Sequence, residues 1–319
     1  MFPELFEIPF IHLTVKSYGL MMVIGFLAAV SLIRHLSRNI TLNPQFITNA
    51  ALYSLIGGVV GARLFYVLHH FEHFKENLGS VFAIWQGGLE LLGGVILAIT
   101  IIIFYLLYHK LPIRRYLDIL AIGLMLALVF GRIGCFLNGC CFGKPTELPW
   151  AVRFPYNSFA YNSQINANLE RNRLDPQLIL PKGEYFGFID KDGNWHTKLY
   201  EDLTEQQKIE VTKGKYRCLP VHPTQLYSSA AGAVLCLILY LFWRRSQNAG
   251  KILTKPGSTF ALMFVVYGIT RFFIEFLRDD NPFEFNGLTI SQIIGIAMII
   301  LGAVLIVIFQ KMKPKTPKS

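Results

Sequence analysis

Arg63, Arg132 and Arg271 each stand near the end of an apolar run that otherwise reads as lipid-embedded. A guanidinium at such a place costs about 3 kcal/mol by insertion scales unless an anion or water meets it. Any one of them is explained by snorkelling to the interface. Three at one depth, with Glu275 the clearest nearby acid, point to an anionic ligand, and arginine's planar fork suits the oxygens of a phosphate. Arg132 lies in GRIGCFLNGCCFGKP, where Gly131, Gly134, Gly139 and Gly143 let backbone or ligand approach closely and Asn138 adds a polar contact. In YGITRFFIEFLRDD, the residues Tyr267, Arg271, Glu275 and Arg278 follow at i, i+4, i+8 and i+11, one polar stripe on a helix otherwise covered by Phe and Leu. This stripe is either a self-satisfied ion-pair ladder or a device in which Glu275 orients Arg271 toward a ligand; we favour the second.

Further polar groups map to the same membrane face. Tyr18 opens the first apolar run, Gln86, Gly87 and Gly88 open the third, and HPTQLY with His222 and Gln225 opens the fifth. A histidine at a helix mouth is commonly a cap, but this one shares its face with the arginines. Together these groups describe a cavity that captures a phospholipid headgroup.

The elements that position them are helices. The 319-residue chain is 53% hydrophobic, and its mean hydropathy of +0.43 marks an integral membrane protein. Apolar runs approaching the bilayer-spanning length occur at roughly Tyr18–Ile33, Ile47–Leu68, Gly88–Tyr108, Leu117–Leu137, Thr224–Trp243, Gly257–Leu277 and Leu288–Phe309. The expected fold is an all-α polytopic membrane protein of seven transmembrane helices. The N-terminus carries Glu4 and Glu7, not a basic segment, so no cleavable signal peptide is expected; Met1–Val15 reads as interfacial.

Charge sets the orientation. Alternate loops hold Arg34 and Arg38; Lys110, Arg114 and Arg115; Arg244, Arg245, Lys251 and Lys255; and Lys311, Lys313, Lys315 and Lys318. The short segments opposite hold only Lys16, Lys75 and Arg278. The positive-inside rule then places the N-terminus outside and the C-terminus in the cytoplasm. The net charge of +10 is thereby a topology signal, and nucleic acid is not an expected partner.

The chain divides into a membrane body of helices 1–4 (residues 1–142), an extracytoplasmic head (143–221), and a body of helices 5–7 with a basic tail (222–319). The head reads as a small α+β unit, strand-like at Tyr185–Ile189 and Trp195–Tyr200 and helical from Leu203 to Val211. Ser80–Gln86 reads as a short re-entrant segment. Cys135, Cys140, Cys141 and Cys218 fall on the outer side, and a bridge from Cys140 or Cys141 to Cys218 would staple the head. Their spacing with His222 matches no standard zinc pattern, so no metal and no other cofactor is expected.

YGLMMVIGF (Tyr18–Phe26), GARLFYVL (Gly61–Leu68), WQGGLELLGGV (Trp85–Val95), GRIGCFLNGCCFG, HPTQLY, YGITRFFIEFLR and SQIIG (Ser291–Gly295) together resemble the prolipoprotein diacylglyceryl transferases. The resemblance touches every expected span and leaves most of the head uncovered. It implies transfer of a diacylglyceryl group from phosphatidylglycerol to the lipobox cysteine of a prolipoprotein, releasing glycerol phosphate, in the bacterial cytoplasmic (inner) membrane. The implied partners are phosphatidylglycerol, prolipoprotein signal peptides and membrane lipid. It implies that Arg132, Arg271 and Glu275 are catalytic and that Tyr18, Gly143 and Tyr267 are functional. Two positions depart from the family. Its usual third-span histidine is Leu92, leaving Glu90, His222 or Glu275 to take the thiol proton or Arg271 to stabilise a thiolate formed by another route, and its asparagine after GRIG is Cys135. A lipid-binding or altered-acceptor relative on the same scaffold is the alternative.

Overall fold

A computed structural model of the chain describes residues 4–8, 13–40, 43–75, 78–82, 88, 90–190, 193–246, 255–285 and 287–312. It is mostly helical. Six described helices are long and apolar enough to cross a bilayer: α1 (Ser17–Ser37), α2 (Gln45–His69), α4 (Ile113–Asn138), α5 (Thr224–Ser246), α6 (Ser258–Glu275) and α7 (Ile290–Lys311). Between them α3 (Leu91–Tyr108) is an 18-residue helix whose apolar part, Leu92–Tyr108, is shorter. At 1.5 Å per residue it reaches about 27 Å, a little less than a hydrocarbon core of about 30 Å. The expected third span is therefore the short one, because its predicted first turn, around Gly88, is not helical.

α4 is the central helix. It packs against α1, α5 and α6, while α2 pairs with α3 and α6 with α7. Small residues allow the closest crossing: a Cβ at Gly61 would stand 2.5 Å from the carbonyl oxygen of Gly93, so α2 and α3 touch backbone to backbone. At the end of the bundle far from the head, α4, α5 and α6 share an apolar core built on Tyr116, Ile119, Ile122, Leu239, Trp243 and Met263. One carboxylate is built into it. Asp118 on α4 is buried, and its oxygens accept from the backbone N–H groups of Gly257 (2.7 Å) and Phe260 (2.9 Å). An acid borrowed from a neighbouring helix thus caps the N-terminus of α6, whose own first turn has none.

Between α4 and α5 the chain gathers a second apolar cluster, with Phe154, Tyr161, Tyr185 and Val221 buried in it. A hairpin of β3 (Phe186–Ile189) and β4 (Trp195–Thr197) and a helix at Glu205–Thr212, closed by a Thr204/Gln207 capping box, match the expected elements. The N-terminal segment differs from a purely interfacial run: β1 (Glu4–Ile8) pairs antiparallel with β2 (Leu13–Lys16) immediately before α1. Of the expected re-entrant segment Ser80–Gln86, residues 80–82 are described and end a 3-10 turn at Leu78–Phe82.

Candidate functional site

The chain leaving α4, the chain entering α5 and the chain leaving α6 are tied by backbone hydrogen bonds. Gly143 N–H donates to His222 O (3.1 Å), His222 N–H to Lys144 O (3.0 Å), and Lys144 N–H to Leu277 O (2.8 Å). Gly143 sits at the centre. A Cβ there would lie 2.6 Å from both the Cβ and the carbonyl oxygen of His222 and 2.9 Å from Leu277 O, so only glycine fits. This knot holds the head-side ends of α4, α5 and α6, and with them the ionic residues, in one register.

Just beneath it, Arg132 of α4 lines a narrow crevice with Tyr267, Thr270 and Arg271 of α6 and Ser228 of α5. Two of the three arginines singled out by the sequence therefore meet. Arg271 is fixed on two sides: Nη1 pairs with Glu275 Oε2 at 2.8 Å, and Nη2 donates to Ser291 Oγ of α7 at 2.6 Å. Glu275 is only 1% exposed. Its other oxygen accepts from Thr289 Oγ1 at 3.0 Å and from Asn281 Nδ2, and Arg278 Nη1 approaches Oε2 at 3.8 Å. Arg278 lies beyond the end of α6 and spends its fork on Asp280, through Nε (2.8 Å) and Nη2 (2.6 Å). The ion pairs of the ladder are present: Glu275 Oε1 accepts hydrogen bonds from Thr289 and Asn281, while Oε2 is met by Arg271 and Arg278 as ion pairs alone.

Arg132 is held differently. Among the described residues its guanidinium, partly exposed, has no hydrogen-bond or ion-pair partner. Tyr18 covers the adjoining turn, since a Cβ at Gly134 would be 3.2 Å from its ring, and a Cβ at Gly131 would be 3.6 Å from Met22 Sδ. α1 therefore seats on α4 through the small residues that flank Arg132.

Other expected site residues make contacts within the protein. Arg63 gives its three guanidinium nitrogens to the carbonyls of Val81 (2.8 Å), Ser80 (2.6 Å) and Gly88 (3.0 Å), fastening these three residues to α2. Gln86 and Gly87 lie outside the described residues. Gln225 is fully buried and donates to Cys140 O at 2.7 Å. Asn138 is the last residue of α4, and Gly139 follows in the left-handed region at φ 80°. His222 Nδ1 is 3.4 Å from the Tyr227 hydroxyl, and burial lowers its pKa from the ordinary imidazole value, so the ring is neutral at pH 7.

The head bridge expected between Cys140 or Cys141 and Cys218 is absent. All five cysteines are free; Cys218 is buried against Gln164 Oε1 (3.4 Å), while Cys140 and Cys141 cluster with Cys135. The head is anchored instead by Arg173, whose Nη1 meets Asp279 at 2.7 Å, and by Arg171 over the Phe283 ring at 4.7 Å. Sequence inspection missed this anchor, as it missed Asp118, Ser291 and a His69–Glu90 pair at 2.8 Å. A cavity of about 870 Å³ opens in the head between Asn166, Asn168, Trp195 and His196. Its one arginine, Arg173, is already bound to Asp279 and Ser163, so size alone does not make it the reaction site.

The chain matches the prolipoprotein diacylglyceryl transferase family over residues 3–308. A phosphatidylglycerol–prolipoprotein diacylglyceryl transferase of Clostridium tetani is 28% identical over 302 residues, 95% of each chain. The protein so named from Buchnera aphidicola is 30% identical over 314 residues, 95% of this chain and 96% of its own. One from a Nostoc species is 28% identical over 291 residues, 91% and 83% of the two chains. Matched almost from end to end, the chain belongs to the prolipoprotein diacylglyceryl transferase family.

Proposed function

We propose that the protein transfers the diacylglyceryl group of phosphatidylglycerol to the lipobox cysteine of prolipoproteins. The observation that carries this reading is the crevice in which Arg132, with no hydrogen-bond or ion-pair partner among the described residues, stands with Arg271, locked by Glu275 and Ser291. The acceptor's sulfur attacks the terminal glyceryl carbon, the carbon–oxygen bond to phosphate breaks, and glycerol phosphate departs with the electron pair. The arginines meet the charge growing on that phosphate, and the fixed fork of Arg271 holds it in line for attack.

A thiol attacks as thiolate, so its proton must leave. Glu275 is spent on its network and Glu90 on His69, whereas His222 presents a neutral ring at the backbone knot. We assign proton acceptance to His222, the role vacated by Leu92. The protein spans the bacterial cytoplasmic membrane seven times, α3 included, with the N-terminus, the head and the crevice on the outer side. This placement rests on the basic loops at the far end and on the head following α4, which carries Arg132. Tyr18, Tyr267 and the knot at Gly143 complete the headgroup site.

The test uses purified full-length protein in detergent with phosphatidylglycerol and a synthetic lipobox peptide, read by mass spectrometry. A gain of one diacylglyceryl unit on the peptide cysteine, lost in Arg132→Ala and Arg271→Ala variants that still fold, is expected. Undiminished transfer in both variants would remove the phosphate clamp. Lipid binding without transfer would favour a lipid-binding or altered-acceptor protein.

A further inference from the structure

Where α4 ends, three thiols converge. Cys135, Cys140 and Cys141 hold their Sγ atoms within 4.8 Å of one another, and all three are free. The helix terminus builds this grouping. Gly139 takes φ 80°, its N–H reaches Phe136 O (3.2 Å), and Cys140 N–H donates to Cys135 O (3.2 Å). This left-handed cap sets the residue three before the helix's last beside the second residue past it, and here both are cysteines. Cys141 follows at φ 62°, a conformation that side chains rarely adopt. Two hydrogen bonds from α5 hold the strained turn: Thr224 Oγ1 donates to Cys141 O and Gln225 Nε2 to Cys140 O, each at 2.7 Å.

We infer that Cys135, Cys140 and Cys141 form a binding site for a soft d10 cation such as Zn(II) or Cu(I). Thiolates are the ligands such ions prefer, at about 2.3 Å for zinc, which sets three sulfurs around one ion about 4 Å apart. The observed triangle, with its sulfurs within 4.8 Å of one another, is close to that size. Three S–H groups ionise on binding, three sulfur–metal bonds form, and the protons pass to solvent. Three thiolates with a divalent ion leave one negative charge, and Arg132 and Arg278 both lie within electrostatic reach of Cys141 to balance it. The spacing along the chain conceals the site, because the αL turn, and not a standard zinc loop, brings the sulfurs together. The inference does not depend on the transfer chemistry.

The experiment titrates reduced full-length protein in detergent with Cd(II) as a spectroscopic probe, then with Zn(II) against a chromophoric chelator. One equivalent per chain with a thiolate-to-metal charge-transfer band is expected. Cys135→Ser and Cys141→Ser should each weaken binding at least about tenfold, a loss that even groups outside the coordination sphere produce. Cys218→Ser and Cys236→Ser should leave it unchanged. In the unmodified protein, bound metal should shield Cys135, Cys140 and Cys141 from maleimide, mapped by peptide mass spectrometry, with Cys236 labelling unaffected; this readout holds even if a serine variant fails to fold. Absence of the band, an unaltered band in the Cys135→Ser/Cys141→Ser double variant, or a disulfide among the three cysteines in protein purified under reducing conditions would overturn the assignment.

Discussion

Arg271→Lys keeps the charge and removes the fork. In the structure one guanidinium makes two contacts, an ion pair from Nη1 to Glu275 at 2.8 Å and a hydrogen bond from Nη2 to Ser291 at 2.6 Å. A lysine ammonium at the same helical position satisfies Glu275, its partner one turn on, and loses Ser291. A hydrogen bond from a charged group is worth about 1.5–3 kcal/mol, and the surviving ion pair moderates the effect on folding. Catalysis suffers more. A lost donor aimed at developing charge costs about 2.7–4 kcal/mol, or about 10²–10³ in kcat. The substrate's KM should move little, because a positive charge still faces the phosphate. The assay is the initial rate of thioether formation on a lipobox peptide at several phosphatidylglycerol concentrations, with thermal unfolding measured beside it. A lysine variant within about threefold of the parent kcat, less than 1 kcal/mol of barrier, would refute the claim that geometry and not charge is what Arg271 supplies.

Gly143→Ala places a Cβ against atoms that cannot swing away, 2.6 Å from His222 Cβ and O, so the knot must open. The expected cost is about 1–3 kcal/mol of stability together with loss of transfer, and a fully active variant with unchanged Tm would show the contact to be soft. Asp118→Ala strands the N–H groups of Gly257 and Phe260 at the far end of the bundle. It should lower stability by about 1–3 kcal/mol while leaving the turnover of folded protein intact, so normal stability would remove Asp118 as the cap of α6. For His222 the sign follows from its lowered pKa: the neutral, proton-accepting ring persists below pH 6.5 and is lost as pH falls through the folded value. Folding stability should likewise fall on acidification below about 6.5, where the unfolded chain binds the proton first. A pH–kcat/KM profile should show an acid limb below 6.5 that His222→Gln abolishes; an identical limb in that variant would return the role to another base.

The helices were legible because long apolar runs and a 3.6-residue stripe are local signals; Tyr267, Arg271 and Glu275 could be placed on one face by counting alone. The union of Arg132 with Arg271 also followed, since both stand late in helices expected to run the same way. What escaped was long-range or polar-to-backbone. The acceptors of Arg63 escaped because carbonyls leave no mark in a sequence, and Ser80, Val81 and Gly88 are named only by the fold. Arg173 and Asp279 lie 106 positions apart, and nothing local pairs them. The expected link to Cys218 assumed that outer cysteines couple across the head. The turn at Gly139 instead draws Cys135, Cys140 and Cys141 together, and Gln164 occupies Cys218.

The proposed role of Arg132 and Arg271, carrying the charge of the departing phosphate, is probed by altering the leaving group. In a phosphatidylglycerol analogue with sulfur in place of the bridging oxygen, the departing thiophosphate needs less stabilisation. Single-turnover transfer to a lipobox peptide would be compared for parent and Arg132→Ala protein on both lipids. The expected penalty is about 10²–10³ on the natural lipid and shrinks to below about tenfold on the analogue. An equal penalty on both would contradict it, assigning Arg132 to headgroup binding alone.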